Sequence, residues 1–264
     1  MHISIFDCLA HPTIDGNWIM PRYAYESKKE ILLSQMQEAN VKWAFAVGME
    51  GIGSYSQIEF IKCFNDITDY SLYPVAYFDP CSHITYNDLK KELIIIKNLG
   101  YRGIKLHPRM SDFSFADANI STVIKIANDF NLITFLCTYP YSNNKACENT
   151  PEKLMELLKK IDKAKVILLH SGSVRLLEYM EIARAFSNVL LDLSLTICKY
   201  EGSSIDMDIS FLFKHFDRRI AIGSDFPEFS LKKLRERFEY FTLNLLKEKA
   251  ENIAHKNIMD FCKL

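Results

Sequence analysis

Short runs of apolar and β-branched residues recur about every 30 residues along this chain, a spacing that leaves few folds open to it. The runs are Ile3–Cys8, Val41–Gly48, Leu72–Phe78, Gly103–His107, Leu132–Cys137, Val166–His170, Val189–Leu193 and Ile220–Gly223. Most are bounded by Gly, Pro, Asn or Asp, and most are apolar on both faces, as strands covered on each side must be. Between them the apolar residues follow a helical period. Leu89, Leu93, Ile96 and Leu99 form one stripe, and Leu154, Leu157, Leu158 and Ile161 form another, with Thr150 as N-cap and Pro151 in the first turn. Ser230 caps a further helix that buries Leu231, Leu234, Phe238 and Phe241. Thirty residues is the length of one strand–helix unit. Eight such units and a closing helix near 250–262 predict an α/β chain folded as one (β/α)8 barrel over residues 1–264. A doubly wound open sheet is the alternative, but no Gly-x-Gly-x-x-Gly turn follows the first strand.

Composition narrows the function. With 32 Lys+Arg against 33 Asp+Glu, and 48% hydrophobic residues, the chain has an ordinary globular core and no basic face for nucleic acid. Its apolar runs are far shorter than the roughly 20 residues that span a bilayer. Neither nucleic acid nor membrane is an expected partner. The seven cysteines are dispersed and never spaced as Cys-x-x-Cys, which suits free thiols. No basic, then apolar, leader is visible at the N-terminus. The expectation is a cytoplasmic protein acting on a small molecule, and a homo-oligomer is compatible with the sequence.

In a barrel, chemistry gathers at the C-terminal strand ends. Four of the seven histidines (11, 83, 107 and 170) lie at or just beyond such ends. Residues two apart share a strand face, so Lys105 and His107 point together, as do Asp192 and Ser194, and positions 7, 9 and 11 align if the first strand stays extended. Arg109 follows directly, and with Lys105 it suits an anionic substrate. Lys105 and His107 also allow a buried lysine–carboxylate pair at the barrel mouth. His83 reads as a loop residue. Trp18, Tyr23 and Tyr25 follow strand one in a long connection that forms either a lid or a rim contact.

The segment Phe6-Asp7-Cys8-Leu9-Ala10-His11 resembles the Asp-x-His-x-His opening of the amidohydrolase superfamily. Gly103-Ile104-Lys105-Leu106-His107-Pro108, Leu168-Leu169-His170-Ser171-Gly172 and Ile222-Gly223-Ser224-Asp225-Phe226-Pro227 resemble later landmarks of its amidohydrolase-2 branch, in the same order, and the tail from Glu251 to Phe261 resembles its closing helix. The resemblance implies one divalent metal, zinc first, with His11, Cys137, His170 and Asp225 as ligands. It makes Asp225 the base that orders water and His170 a ligand or electrophile, with Lys105, His107 and Arg109 meeting the substrate. Two positions depart from the pattern. Leu9 stands where a histidine ligand is expected, and Cys137 stands where the strand-five histidine is expected. A thiolate ligates zinc, and a leucine ligates nothing.

The leading expectation is therefore hydrolysis of a small ester, lactone or amide by activated water, with decarboxylation or metal-independent lactone cleavage as alternatives. An inactive barrel kept as a binding or partner subunit is the rival that Leu9 sustains. A third reading makes Cys137 a nucleophile paired with His107 or His170, against its plainer role as a small buried hydrophobe.

Overall fold

The computed structural model describes residues 3–20, 26–64, 71–82 and 85–264. All eight runs are strands: β1 (Ile5–Ala10), β2 (Val41–Val47), β3 (Ser71–Tyr77), β4 (Gly103–Leu106), β5 (Ile133–Cys137), β6 (Val166–Leu169), β7 (Val189–Asp192) and β8 (Ile220–Ala221). Their bounds fall within two residues of those read from the sequence. The helices among the described residues are α1 (Lys29–Glu38), α2 (Gln57–Lys62), α3 (Tyr86–Leu99), α4 (Pro108–Ser111), α5 (Ala118–Asp129), α6 (Pro151–Lys160), α7 (Leu176–Ala185), α8 (Thr196–Lys199), α9 (Ile205–His215), α10 (Leu231–Thr242), α11 (Lys247–Glu251) and α12 (Asn257–Cys262). The expected closing helix is present but interrupted, because a wider turn at Asn252–Lys256 separates α11 from α12. No helix among the described residues is long and apolar enough to cross a membrane. His83, Tyr23 and Tyr25 lie outside the described residues.

Helix boundaries follow local chemistry. The Thr150 hydroxyl accepts from the Lys153 amide at 3.3 Å with Pro151 at the first helical position, and the Ser230 hydroxyl accepts from the Lys233 amide. Each cap satisfies an amide that the helix itself leaves without a partner. Thr150→Ala is expected to lower unfolding free energy by about 1 kcal/mol, read as a smaller urea midpoint at unchanged slope.

The strands pair in parallel and in chain order from β1 to β8. Two apolar clusters result. One lies between sheet and helices and takes alternate strand residues such as Ile104, Leu106, Leu136 and Leu168. The other fills the barrel with Phe6, Leu9, Phe45, Phe135, Ile167 and Leu169, and α12 adds Ile258 at the N-terminal end. Large side chains inside the barrel make it a packed plug, so a ligand has room only at the far mouth.

The barrel closes between β1 and the residues following β8. The Cys8 amide donates to Ile222 O at 2.9 Å, the Asp225 amide to Leu9 O at 2.9 Å, and the His11 amide to Phe226 O at 2.8 Å. Asp7, fully buried, fastens this seam by accepting from the Ser224 amide at 2.8 Å, the Leu9 amide at 3.2 Å and the Ser224 hydroxyl. The chains approach so closely that a Cβ at Gly223 would sit 2.9 Å from Leu9 N and 3.0 Å from Asp7 Oδ1. That is why glycine stands there. The register of β1 against β2 shifts between Asp7 and Ala10. Position 7 therefore turns to the seam, while Leu9 enters the barrel core and His11 reaches the mouth.

Candidate active site

Outward-facing Ile104 and Leu106 force Lys105 and His107 toward the barrel axis. There His11, Lys105, His107, Arg109, His170 and Asp225 line one cavity of about 270 Å³ at the C-terminal strand ends. Trp18, Tyr139, Lys199 and Glu228 complete its polar wall, and Met49 and Leu195 are among its apolar residues. Two of the expected residues sit on strained backbone. His170 has φ 65° and Asp225 φ 59°, in the left-handed region that a side chain disfavours. Such conformations cost of order 1–3 kcal/mol and cluster at functional sites.

Lys105 is 1% exposed, and its Nζ lies 3.0 Å from His11 Nε2. His11 Nδ1 lies 2.8 Å from Val47 O, an acceptor only, so Nδ1 carries the ring proton. An ammonium has no lone pair, so Nε2 must be the acceptor of the Lys105 contact and His11 is neutral. Burial first, and then the Lys105 charge, push His11 down to about 4 against the pull of Asp225. Asp225 Oδ1 stands 3.5 Å from the same Nε2. The Lys105 charge, 3.0 Å from that nitrogen, also acts on Asp225. Burial lowers Lys105 to about 8, which still leaves it mostly protonated at pH 7. Burial tends to raise Asp225, but its neighbours His11, His170 and Lys105 outweigh it and hold the carboxyl well below the usual range.

A second cluster lies alongside. Burial works to raise the Cys137 thiol, yet contact with His107 and His170 drives it well below its ordinary value. His170 is raised: burial opposes the charged ring, and Cys137 and Asp225 outweigh burial. Its Nδ1 lies 3.1 Å from Ser194 O and 3.3 Å from Ser194 Oγ. Ser194 Oγ in turn donates to Asp192, and burial lifts that carboxyl to about 6. Asp192 and Ser194, expected to point together, bond to each other. His107 is lowered by burial, and its Nδ1 has no hydrogen-bond partner. Arg109 Nε is likewise buried without a partner, with the guanidinium 4.7 Å from the Tyr139 ring. Lys199 Nζ donates to the Tyr139 hydroxyl at 2.7 Å.

Of the four expected metal ligands, His11, His170 and Asp225 line the cavity, while Cys137, engaged by His107 and His170, is not among its lining residues. Leu9 contributes apolar packing. Among the described residues no three His, Cys, Asp or Glu side chains converge as a metal site requires. The single lone pair of His11 Nε2 is engaged by Lys105. This donor set does not fit a divalent ion. The expected lysine–carboxylate alternative is also modified, since the direct partner of Lys105 is an imidazole.

Sequence reasoning did not single out Tyr139, Lys199 or Glu228. Tyr139 lies two residues beyond the β5 end, a position that carries a signal, whereas Lys199 and Glu228 arrive through helices and loops whose packing has no local signature. Trp18 stacks on His11 with ring centres 5.2 Å apart and donates to Glu228 Oε1 at 2.8 Å, so this part of the long connection covers the site.

A barrel that gathers titratable side chains around one cavity at its C-terminal mouth is built as TIM-barrel enzymes are. The chain belongs to the amidohydrolase family Amidohydro_2, whose model matches residues 88–261. No curated protein matches the sequence. Among solved structures, an uncharacterised TIM-barrel protein from Bordetella bronchiseptica superposes with a TM-score of 0.83 at 18% identity, covering 98% of each chain. The 5-carboxyvanillate decarboxylase of Sphingomonas paucimobilis gives 0.69 at 9% identity over 99% of each chain. A dihydroxybenzoic acid decarboxylase from Polaromonas sp. JS666, solved with bound manganese and 2-nitroresorcinol, gives 0.69 at 11% identity over 99% of this chain and 97% of its own. At these identities the likeness establishes the shared fold.

Proposed function

We propose that this barrel is an enzyme that decarboxylates a small carboxylic acid bearing a carbonyl or phenol group. The observation that carries the reading is the balance of acids and bases around the cavity. Lys105, Arg109, Lys199 and a raised His170 line it; of its two carboxylates, Asp225 is held too low to be an effective base and Glu228 accepts from the Trp18 indole. A general base works best with a pKa near the working pH, and neither Asp225 nor His11 meets that condition. Loss of CO2 needs no base. It needs a cation where charge develops and an acid to protonate carbon.

The steps follow from the geometry. Arg109 and Lys199 hold an anionic or polar end of the substrate that stays intact. The leaving carboxylate lies against apolar lining such as Met49 and Leu195. On a β-keto acid the carbon–carboxylate bond breaks, CO2 departs, and the electron pair passes to the carbonyl oxygen as an enolate stabilised by Lys105, after which His170 as imidazolium protonates the carbon. On a hydroxybenzoate ionised at its phenol, His170 first protonates the ring carbon that bears the carboxylate; loss of CO2 then returns the pair to the ring and leaves a phenolate beside Lys105, and solvent restores the His170 proton. The decarboxylases that share this fold support the reading.

Hydrolysis is the second reading, favoured by the position of Asp225, whose carboxylate would orient water toward an ester or lactone carbonyl polarised by Lys105. The cavity lined by titratable side chains at the C-terminal mouth argues for catalysis over an inactive barrel. The test is a panel of carboxyl-13C-labelled β-keto acids and hydroxybenzoates, beside lactones and esters in 18O water. Release of 13CO2 that falls at least a hundredfold in His170→Asn is the expected result. Turnover confined to esters or lactones, with 18O in the product acid, would replace decarboxylation by hydrolysis. No turnover on any of them would sink both.

A further inference from the structure

We infer that Lys105 replaces the divalent ion: its ammonium, seated on His11 Nε2 beside Asp225, is the resident cation of the site and excludes a metal from it. The inference rests on the proposed function only in giving that cation a substrate to act on. Its occupancy of the site is argued from geometry alone.

Neutral His11, with its proton fixed on Val47 O, presents one lone pair to the cavity, and Asp225 Oδ1 stands 3.5 Å away. A zinc-type ion takes nitrogen and oxygen at about 2.0–2.2 Å, so such a pair would serve as two corners of a metal site if the nitrogen lone pair were free. Lys105 Nζ is 3.0 Å from the nitrogen, and an ion bound there would meet a buried ammonium at close range. Like charges cannot share that space. The remaining donors are committed elsewhere: His170 directs one ring nitrogen to Ser194, and Cys137 is engaged by His107 and His170. Leu9, apolar and buried, is consistent with a site organised around an ammonium, where a third ligand has no role.

An ammonium supplies a full positive charge and three hydrogen-bond donors but does not generate metal-bound hydroxide. The substrate class narrows accordingly. It must place negative charge on an oxygen next to Lys105, as β-keto acids and hydroxybenzoates do on losing CO2. An unactivated amide, which needs a strong hydroxide nucleophile, falls outside it.

The experiment uses manganese alone, which has little affinity for the thiols of this chain. Free Mn2+ is measured by electron paramagnetic resonance with 100 μM protein and 100 μM Mn2+, for wild type, Lys105→Met and Lys105→Met/His11→Ala, each verified as folded by circular dichroism. Wild type is expected to leave more than nine tenths of the ion free. Lys105→Met is expected to bind at least tenfold more tightly, and the added His11→Ala to remove the gain. Binding of more than half the ion by wild type, lost in His11→Ala, would overturn the inference, as would a Lys105→Met affinity equal to wild type. Lys105→Gln serves as the replacement variant if Lys105→Met does not fold. Because no substrate is present, a failed decarboxylation screen and a failed manganese result are read separately.

Discussion

Lys105→Met is expected to lower kcat on the decarboxylated substrate by about a thousandfold while KM changes less than tenfold. Removing one neutral oxyanion-hole donor typically costs about a hundred- to a thousandfold, and Lys105 contributes a full charge from a position 1% exposed, where water screens it poorly. The split between kcat and KM follows from position. In the proposed reaction Lys105 would meet charge that exists only as the bond breaks, whereas Arg109 and Lys199 would meet charge the substrate brings with it. The measurement is steady-state kinetics beside a urea titration. A kcat within tenfold of wild type would remove Lys105 from the chemistry. Loss of activity together with more than about 2 kcal/mol of stability would assign it to folding instead.

The second large effect lies at the seam. Asp7→Ala is expected to cost about 3–4 kcal/mol, because the Ser224 and Leu9 amides lose their buried acceptor and each unsatisfied group costs about 1–3 kcal/mol. Asp7→Asn should behave differently. Burial raises the Asp7 carboxyl from 3.8 to about 7, so the fold prefers the neutral acid. A raised folded-state value means that the contribution to stability is complete below pH 4 and is lost as pH climbs through 7. An asparagine keeps Oδ1 for the two amides, and its Nδ2 meets the Ser224 hydroxyl, which donates to Asp7 in wild type and turns to accept in the variant. Wild type is therefore expected to lose stability between about pH 4 and 7 by a few kcal/mol relative to Asp7→Asn. Parallel pH profiles of the two proteins would contradict the assignment.

Much of this molecule is legible before any coordinates. The strands announce themselves because a barrel buries both faces, which turns each into an uninterrupted apolar run such as Val166–Leu169. Thr150-Pro151 and Ser230 mark helix starts because capping is local chemistry. The strand-end residues His11, Lys105, His107, Arg109, His170 and Asp225 were legible for the same reason: a strand end is a position in sequence as well as in space. What the sequence could not convey is how those ends pair across the mouth. The contact of Lys105 with His11 joins β4 to the end of β1, and nothing at either position encodes the other. Asp7 was read with an opening motif, but the register shift in β1 hands it to Ser224, more than 200 residues away.

The indole over His11 has a consequence for traffic. Trp18 lies flat on the imidazole and is tethered to Glu228, so a loop from the start of the chain and one from near its end meet above one side of the cavity. The rest of the polar wall includes Tyr139, Arg109 and Lys199. In the proposed decarboxylation, an acid approaching along that wall would bring its leading end to Lys105 and His11 and leave its trailing end with the two rim cations.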